Sequence, residues 1–160
     1  MIFISHRGNI SSKNTNRENS PEYIDEAIGQ GFDVEIDVRI FPGKEPPGEI
    51  FLGHDHPEYS VNLQWILDRK NNLWIHAKNL EAFSWFIKSP VSWKVFWHQE
   101  DDYTMTKNGY IWAYPGKALG NNVIAVMPEN AFYTSKDILS CAGVCSDNIK
   151  KYREMYKKKL

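Results

Sequence analysis

The sequence predicts a single α/β domain over residues 1–160, folded as a compact, partly reduced (β/α) barrel of the TIM type with parallel strands. Three features predict it: short apolar runs typical of buried strands, capped helical segments between the early runs, and a length that suits one core. A complete barrel of this type takes about 250 residues, and helices are hard to identify after residue 98. An open sheet is therefore the alternative.

Short apolar runs mark the strands. Such runs, bounded by turn residues and rich in β-branched and aromatic side chains, are typical of buried strands. The clearest ones lie at 2–5, 32–40, 72–77 and 94–98, and weaker ones at 110–114, 123–127 and 142–146. The Pro- and Gly-rich segment 41–50 joins two strand-like pieces and is predicted to be a long turn.

Helices are predicted between the early strands from their end signals. Ser20, Asn62 and Asn79 are good N-cap residues, and Gly31 suits the left-handed position after the first helix. A last helix follows Ser146 or Asp147 as its N-cap and ends the chain. Strands alternating with helices indicate βαβ units, whose strands run parallel.

Composition excludes several classes of protein. The net charge is -1, so no overall basic field would attract nucleic acid. The chain has no run of about 18 apolar residues and no signal-peptide pattern, so we expect a cytoplasmic protein without stable membrane insertion. Two cysteines, Cys141 and Cys145, are too few for a disulfide framework and are expected to be reduced.

The basic C-terminal segment is expected to be a solvated helix end. Cations near a helix C-terminus are favoured by the helix dipole. Docking on an anionic membrane is the less favoured interpretation of the same charges. The segment's cationic residues are Lys150, Lys151, Arg153, Lys157, Lys158 and Lys159.

Acidic residues interrupt the strand "FDVEIDVRI". Side chains alternate between the faces of a strand, so Glu35, Asp37 and Arg39 share one face. Carboxylates inside an apolar strand are costly unless they are paired or bound to a metal. Two of them two residues apart can reach one hard cation, which prefers oxygen ligands. The alternative is an ion pair with Arg39.

Histidines stand at or near the carboxyl ends of four predicted strands. They are His6, His54, His76 and His98, and His76 shares a strand face with Lys78. In a parallel α/β barrel, catalytic residues collect at the carboxyl ends of the strands. One histidine there carries little information, but four together with Glu35 and Asp37 indicate a site.

These motifs resemble the glycerophosphodiester phosphodiesterase family, within the superfamily of barrels similar to phosphatidylinositol phospholipase C. The resemblance covers residues 2–56, and the chain would be a short, divergent member. The matching motifs are His6-Arg7-Gly8, Glu18-Asn19, Gly31 with Glu35 and Asp37, and His54-Asp55. Beyond them the match is faint: "IHAKN" is similar to a later strand of the family, and "GVCSDNI" to its last strand.

The resemblance implies a role for each matched residue. Glu35 and Asp37 would bind a divalent cation, Mg²⁺ or Ca²⁺. His6 and His54 would form the catalytic acid/base pair, and Arg7 and Lys78 would hold the phosphate oxygens. The residue types suit this chemistry, because a phosphodiester needs charge neutralisation and two proton transfers.

The chain departs from the family pattern at His76, which stands where a third metal-binding carboxylate is usual. Imidazole suits Mn²⁺, Fe²⁺ or Zn²⁺ better than Mg²⁺ or Ca²⁺. Either the metal differs, with Mn²⁺ as one choice, or the ion is held more weakly, or His76 contacts substrate.

Later residues are candidates for substrate binding. His98 ends a strand, and Trp112 and Tyr114 share a strand face where aromatic rings could stack on a sugar. Filling the interior is the simpler role for Trp112.

The sequence therefore predicts a metal-dependent phosphodiester hydrolase acting on a glycerol- or sugar-linked phosphodiester by histidine acid/base catalysis. A catalytically silent phosphate- or sugar-binding barrel and a lyase that stops at a cyclic phosphate are the alternatives. The expected partner is a small-molecule phosphodiester and not nucleic acid. The oligomeric state is left open, a homo-oligomer included.

Overall fold

Strands and helices alternate in parts of the chain, and strands follow one another without a helix over residues 33–61 and 94–126. The structure is a computed structural model that describes residues 1–158. The strands are β1 (Ile2–His6), β2 (Asp33–Phe41), β3 (Glu49–Leu52), β4 (Tyr59–Val61), β5 (Leu73–Ala77), β6 (Lys94–Phe96), β7 (Tyr103–Met105), β8 (Ile111–Ala113), β9 (Val123–Val126) and β10 (Gly143–Ser146). The helices are α1 (Pro21–Gly29), α2 (Leu63–Asp68), α3 (Leu80–Lys88), α4 (Ser135–Leu139) and α5 (Ile149–Lys157), with a 3₁₀ turn at Pro128–Asn130.

The strands form one curled sheet with a central parallel part. Strands β6, β5, β2, β1, β10, β9 and β8 lie side by side in that order, and each neighbouring pair is parallel. The confirmed part of the prediction is thus a compact α/β fold whose central strands are parallel.

Three strands contradict the expectation of parallel pairing throughout. Within residues 1–158, β3 runs antiparallel to β2, β4 to β3, and β7 to β8. The cause is the length of the connections: residues 42–48, 53–58 and 106–110 are too few for a parallel crossover, which needs a dozen or more residues. The turn predicted at 41–50 is accordingly a hairpin turn over residues 42–48, and the residues on either side belong to β2 and β3.

The two ends of the curled sheet approach each other. The backbone N–H of Lys107, just after β7, donates to the carbonyl oxygen of Val95 in β6 at 2.8 Å. The hydroxyl of Thr104 in β7 donates to the carbonyl oxygen of Trp97 at 2.7 Å. These bonds hold the late, helix-poor half of the chain against the early half.

Alternation along the strands separates an outer core from an inner one. On β2, the side chains of Val34, Ile36 and Val38 pack outward beneath the helices, while Glu35 and Asp37 point inward. The inner core lies below the carboxyl ends of the strands. It consists of the buried side chains of Ile4, Trp74, Phe96, Trp112, Ile124 and Cys145.

Three predicted helix caps are confirmed, and one is wrong. Ser20, Asn62 and Asn79 each accept a hydrogen bond from a backbone N–H of the first helical turn. Helix α5 has Asn148 at its N-cap instead of Ser146 or Asp147. The side chains of those two residues are engaged elsewhere: Ser146 donates to Glu129, and Asp147 accepts from His6.

Both cysteines are free and buried. Among residues 1–158, no helix has the length and apolar character that a bilayer crossing requires. The surface of α5 exposes Lys150, Lys151 and Lys157, and Lys158 follows it; Lys159 lies outside the described residues.

Candidate active site

A cavity of about 390 Å³ opens at the carboxyl ends of the parallel strands. Nine of the ten candidate site residues line it: His6, Arg7, Glu35, His54, His76, Lys78, His98, Trp112 and Tyr114. The tenth, Asp37, is fully buried beside the cavity and contacts three of these residues.

Strand register brings the inner residues together. His6 of β1 is the parallel partner of Glu35 on β2, and Asp37 is the partner of His76 on β5. Because parallel strands place successive side chains in matching layers, these four residues project inward at adjacent levels.

Glu35, Asp37 and His76 form a group able to hold a metal ion, with one donor atom from each lying within 4.8 Å of the others. The Nδ1 atom of His76 is 3.1 Å from Oδ1 of Asp37 and 3.7 Å from Oε1 of Glu35. Two carboxylates and one imidazole form a donor set suited to Mn²⁺ and, with less preference for the imidazole, to Mg²⁺ or Ca²⁺.

Two buried oxygens of this group have few partners, as is expected of ligands for a cation. Among the described residues, Oε2 of Glu35 has no hydrogen-bond partner, and Nε2 of His6 lies 3.9 Å from it. Oδ1 of Asp37 is met by Nδ1 of a protonated His76 at 3.1 Å, a proton that a metal ion would replace. Leaving a buried charged oxygen unpaired is costly. A divalent ion is the kind of ligand that would satisfy both oxygens at once.

The orientation of His76 also suits metal binding. Its Nε2 atom lies 2.9 Å from the carbonyl oxygen of His98, and its ring stacks on Phe96 with centroids 5.0 Å apart. With Nε2–H donating to the carbonyl, the Nδ1 atom faces the two carboxylates. A hydrogen bond on the far nitrogen commonly orients metal-binding histidines in this way.

Electrostatics couple these residues strongly. Burial lowers the pKa of His76, but its bonds to Asp37 and Glu35 outweigh that effect and raise it to about 9. Burial likewise raises the pKa of Asp37, yet contacts with His76, Arg7 and Asn19 hold it well below its usual range. In the metal-free protein, Asp37 is therefore ionised and His76 carries a proton near neutral pH.

The two candidate phosphate-binding cations lie at the same level. The Nε atom of Arg7 is 2.8 Å from Oδ2 of Asp37, and its Nη1 donates to Glu18 at 3.1 Å. The ammonium of Lys78 lies 4.0 Å from Oδ1 of Asp37. Both side chains are mostly buried and line the cavity. The guanidinium of Arg7 is paired with two carboxylates through Nε and Nη1, whereas the ammonium of Lys78 is at the limit of ion-pair distance from its carboxylate.

His6 is held by an aspartate from the other end of the chain. Its Nδ1 lies 2.7 Å from Oδ1 of Asp147, and its Nε2 lies 3.9 Å from Oε2 of Glu35. Asn9 also donates to Oδ1 of Asp147. Burial lowers the pKa of His6, but the Asp147 bond and the Glu35 charge outweigh it, so the net shift is upward.

His54 lies in a more open environment. Its side chain is 39% exposed, and its Nδ1 is 2.7 Å from a carboxylate oxygen of Asp55. The preceding residue, Gly53, has φ of +144°, and a Cβ there would overlap the carbonyl oxygen of His56. Glycine is therefore required for the turn that presents His54.

Arg39 does not form the ion pair that the alternative interpretation of β2 required. Its guanidinium donates to the backbone carbonyl oxygens of Lys78, His54 and Asp55 at 3.1, 2.7 and 3.2 Å. It thus ties the loop that carries His54 to the end of β5.

The late aromatic candidates differ in exposure. Trp112 is only 4% exposed, and its ring stacks on Phe96 with centroids 4.5 Å apart. It therefore fills the interior, although it also forms part of the cavity lining. Tyr114 is 48% exposed at the rim, with the ring of His98 at 5.4 Å.

Sequence reasoning missed several residues of this site. Asp147 was considered as a helix cap and as part of the segment similar to the family's last strand, and it had no assigned role in a site. Glu18 and Asn19 were part of a motif without an assigned role. In the structure, Asn19 donates to Asp37 through its side-chain amide and accepts from the backbone N–H of Asp37. For Asp147, the available signal was its position directly after the last strand, where polar residues join the other strand ends.

The cavity thus brings together Glu35 and His76 with the buried Asp37 behind them, two cationic side chains, and two histidines held by aspartates. Carboxylates and an imidazole are donors for a cation, cationic side chains attract anions, and imidazoles can transfer protons. No protein-family model, curated protein or solved structure matches this chain.

Proposed function

We propose that this chain is a metal-dependent hydrolase of a glycerol- or sugar-linked phosphodiester. One observation carries the proposal: the possible cation ligands Glu35, Asp37 and His76 form a group at a cavity that two cationic side chains and two further histidines also line. A cation site beside an anion site, both flanked by proton donors and acceptors, is what hydrolysis of a phosphodiester needs.

We further propose that the chain belongs with the glycerophosphodiester phosphodiesterases and that its curled sheet is a reduced barrel of the TIM type. Two facts support this. The motif residues His6, Arg7, Glu35 and His54 all line one cavity, with His6, Arg7 and Glu35 on or just after the parallel strands β1 and β2 and His54 on the loop after the antiparallel β3. Hydrogen bonds link the sheet's two ends through Lys107 and Thr104.

The cationic side chains would bind the phosphate. A phosphodiester carries one negative charge, and more charge develops on its oxygens as the nucleophile attacks. Arg7 can present its guanidinium in a fixed orientation, because Glu18 and Asp37 hold it from two sides. Lys78 adds a second positive charge from β5. A divalent ion bound by Glu35, Asp37 and His76 would supply further neutralisation and polarise a phosphate oxygen.

The two histidines would divide the proton transfers. His6 would act as the base: its side chain is mostly buried in the cavity, and the Asp147 carboxylate fixes its Nδ1–H and stabilises the imidazolium that forms when Nε2 accepts a proton. His54, on the open side of the cavity, would give a proton to the departing alkoxide. The half-exposed position of His54 gives it access to solvent for renewing that proton.

The proposal is tested by incubating the protein with bis(glycero)phosphate, glycerophosphocholine and glycerophospho-6-glucose in Mg²⁺, Ca²⁺ or Mn²⁺. Release of the alcohol and the phosphomonoester is measured for wild type, His6→Ala and Glu35→Gln. We expect metal-dependent release and a loss of at least about 100-fold in His6→Ala, the lower end of the contribution of a general base. Glu35→Gln removes a metal ligand and should lose the response to added metal. Glu58→Gln, at an exposed residue, is the matched control and should keep full activity.

The same assay separates the alternatives. Accumulation of a cyclic phosphate without its opening would identify a lyase. Binding of the diesters without cleavage in any metal would identify a silent binding module. Activity that survives His6→Ala would rule out the assigned acid/base chemistry.

A further inference from the structure

The cavity has two chemically different sides. Its charged side is formed by residues on or just after β1, β2, β3 and β5. These residues are His6, Arg7, Glu35, His54, His76 and Lys78. The opposite side follows β6, β8 and β9, and we call it the aromatic–amide wall. It is formed by His98, Gln99, Tyr114, Pro115, Met127 and Asn130. Among the described residues, this wall has no carboxylate, lysine or arginine.

We propose that the aromatic–amide wall binds a neutral hexose ring, so that the substrate is a sugar-linked phosphodiester. This inference rests on the proposed function and specifies the group on one side of the phosphate. The wall supplies an aromatic ring and two side-chain amides, which suit the apolar face and the hydroxyl groups of a sugar respectively.

Tyr114 provides a fixed platform for such a ring. Its backbone N–H donates to the carbonyl oxygen of Asp102 at 2.9 Å, and its carbonyl oxygen accepts from Lys117 at 3.2 Å. The side chains of Asp102 and Lys117 form an ion pair at 2.7 Å that closes the same loop. The residue is thus held by its backbone while 48% of its surface stays exposed.

A quaternary ammonium group, such as that of choline, fits this wall poorly. Cages for such cations surround the charge with several aromatic faces. Here the ring of Trp112 is taken up by stacking on Phe96, and Trp112 is 4% exposed. The one carboxylate among the described cavity-lining residues is Glu35, which belongs to the cation group on the other side.

Gln99 and Asn130 can recognise hydroxyl groups, because each amide offers both donors and an acceptor. They lie on different elements, Gln99 after β6 and Asn130 at the end of the 3₁₀ turn, and both line the cavity. Amides at two separate positions can bond to a ring with hydroxyls around its edge, whereas an acyclic glycerol offers fewer of them.

The test compares kcat/KM for glycerophospho-6-glucose, bis(glycero)phosphate and glycerophosphocholine. We expect the glucose diester to be preferred and Tyr114→Ala to lower its kcat/KM by about tenfold, the upper range for contacts of an aromatic face. The same variant should change the value for bis(glycero)phosphate by less than about twofold. Tyr114→Phe should keep most of the preference, and Asn130→Leu should reduce it.

Tyr103→Ala is the matched control, since Tyr103 is 42% exposed on the neighbouring strand and does not line the cavity. Equal or better cleavage of glycerophosphocholine would overturn the inference while leaving the proposed function intact. So would a uniform loss on all three substrates in Tyr114→Ala.

If none of the diesters is cleaved, the proposed function fails. A binding experiment then tests separately whether the aromatic–amide wall binds a sugar. Saturation-transfer NMR with glucose 6-phosphate should then show transfer to the ring protons that is lost in Tyr114→Ala. Absence of transfer in wild type, or transfer unchanged in the variant, would overturn the inference.

Discussion

The Nδ1 atom of His6 lies 2.7 Å from a carboxylate oxygen of Asp147, although 141 positions separate the two residues. We predict that Asp147→Asn lowers kcat by about 10- to 100-fold and changes KM little, because the neutral amide no longer stabilises a protonated His6. The acidic limb of the pH–rate profile, which reports deprotonation of His6, should move to lower pH. Asp68→Asn, at an exposed helix position, is the control.

A shift of the pH–rate profile in Asp147→Asn distinguishes stabilisation of protonated His6 from a purely structural role of Asp147. Loss of activity in Asp147→Asn with an unchanged pH profile, or with a fall in thermal midpoint large enough to unfold the protein at the assay temperature, would contradict the assignment.

Glu35 has a buried oxygen without a partner in the metal-free protein. We therefore predict that Glu35→Gln is at least as stable as wild type in EDTA, because it removes a buried charge that lacks full compensation. Added Mn²⁺ should raise the thermal midpoint of wild type by mass action and leave that of the variant unchanged. Differential scanning calorimetry with and without metal measures both effects. Equal stabilisation of the two proteins by Mn²⁺ would place the ion elsewhere.

Metal binding is predicted to depend on pH through His76. The pKa of His76 is about 9 in the metal-free protein, so a bound ion must displace its proton near neutral pH. The apparent affinity should then rise about tenfold per pH unit as pH increases towards 9, and level off above it. Titration calorimetry in buffers of different ionisation enthalpy should detect release of one proton at pH 7.

The raised pKa of His76 also makes the folding stability of the metal-free protein in EDTA depend on pH. The stability contributed by protonated His76 is fully present below its unfolded pKa of about 6.5 and is lost as pH rises through 9.

The variant His76→Gln is the control for the pH dependence of metal affinity. It should bind metal with an affinity that changes less with pH. A slope identical to that of wild type would show that another group releases the proton.

Arg39 is predicted to act through His54. Because its guanidinium holds the carbonyl oxygens of His54, Asp55 and Lys78, Arg39→Met should loosen the loop after β3 and lower kcat by about tenfold with a smaller effect on KM. Arg39→Lys can keep one of these bonds and should restore part of the rate. The NMR signal of the His54 ring should shift in Arg39→Met, whereas the His6 signal should not.

Much of the scaffold was predictable from local patterns. The central strands, the caps at Ser20, Asn62 and Asn79, and the inward face of Glu35 and Asp37 all follow from short-range periodicity and hydrogen bonding, which depend on neighbouring residues. The antiparallel β7 and the additional strand β4 were not predicted, because three-residue strands carry too little pattern.

The sequence by itself determined which polar residues share a strand face, since side-chain alternation is a property of local backbone geometry. Only the tertiary structure decided how those residues are paired: Asp147 with His6, Asn19 with Asp37, and Arg39 with three carbonyl oxygens. It also decided that Trp112 packs inside while Tyr114 stays at the rim. Such choices depend on how the sheet curls and on which groups can be satisfied once water is excluded, and no local pattern encodes them.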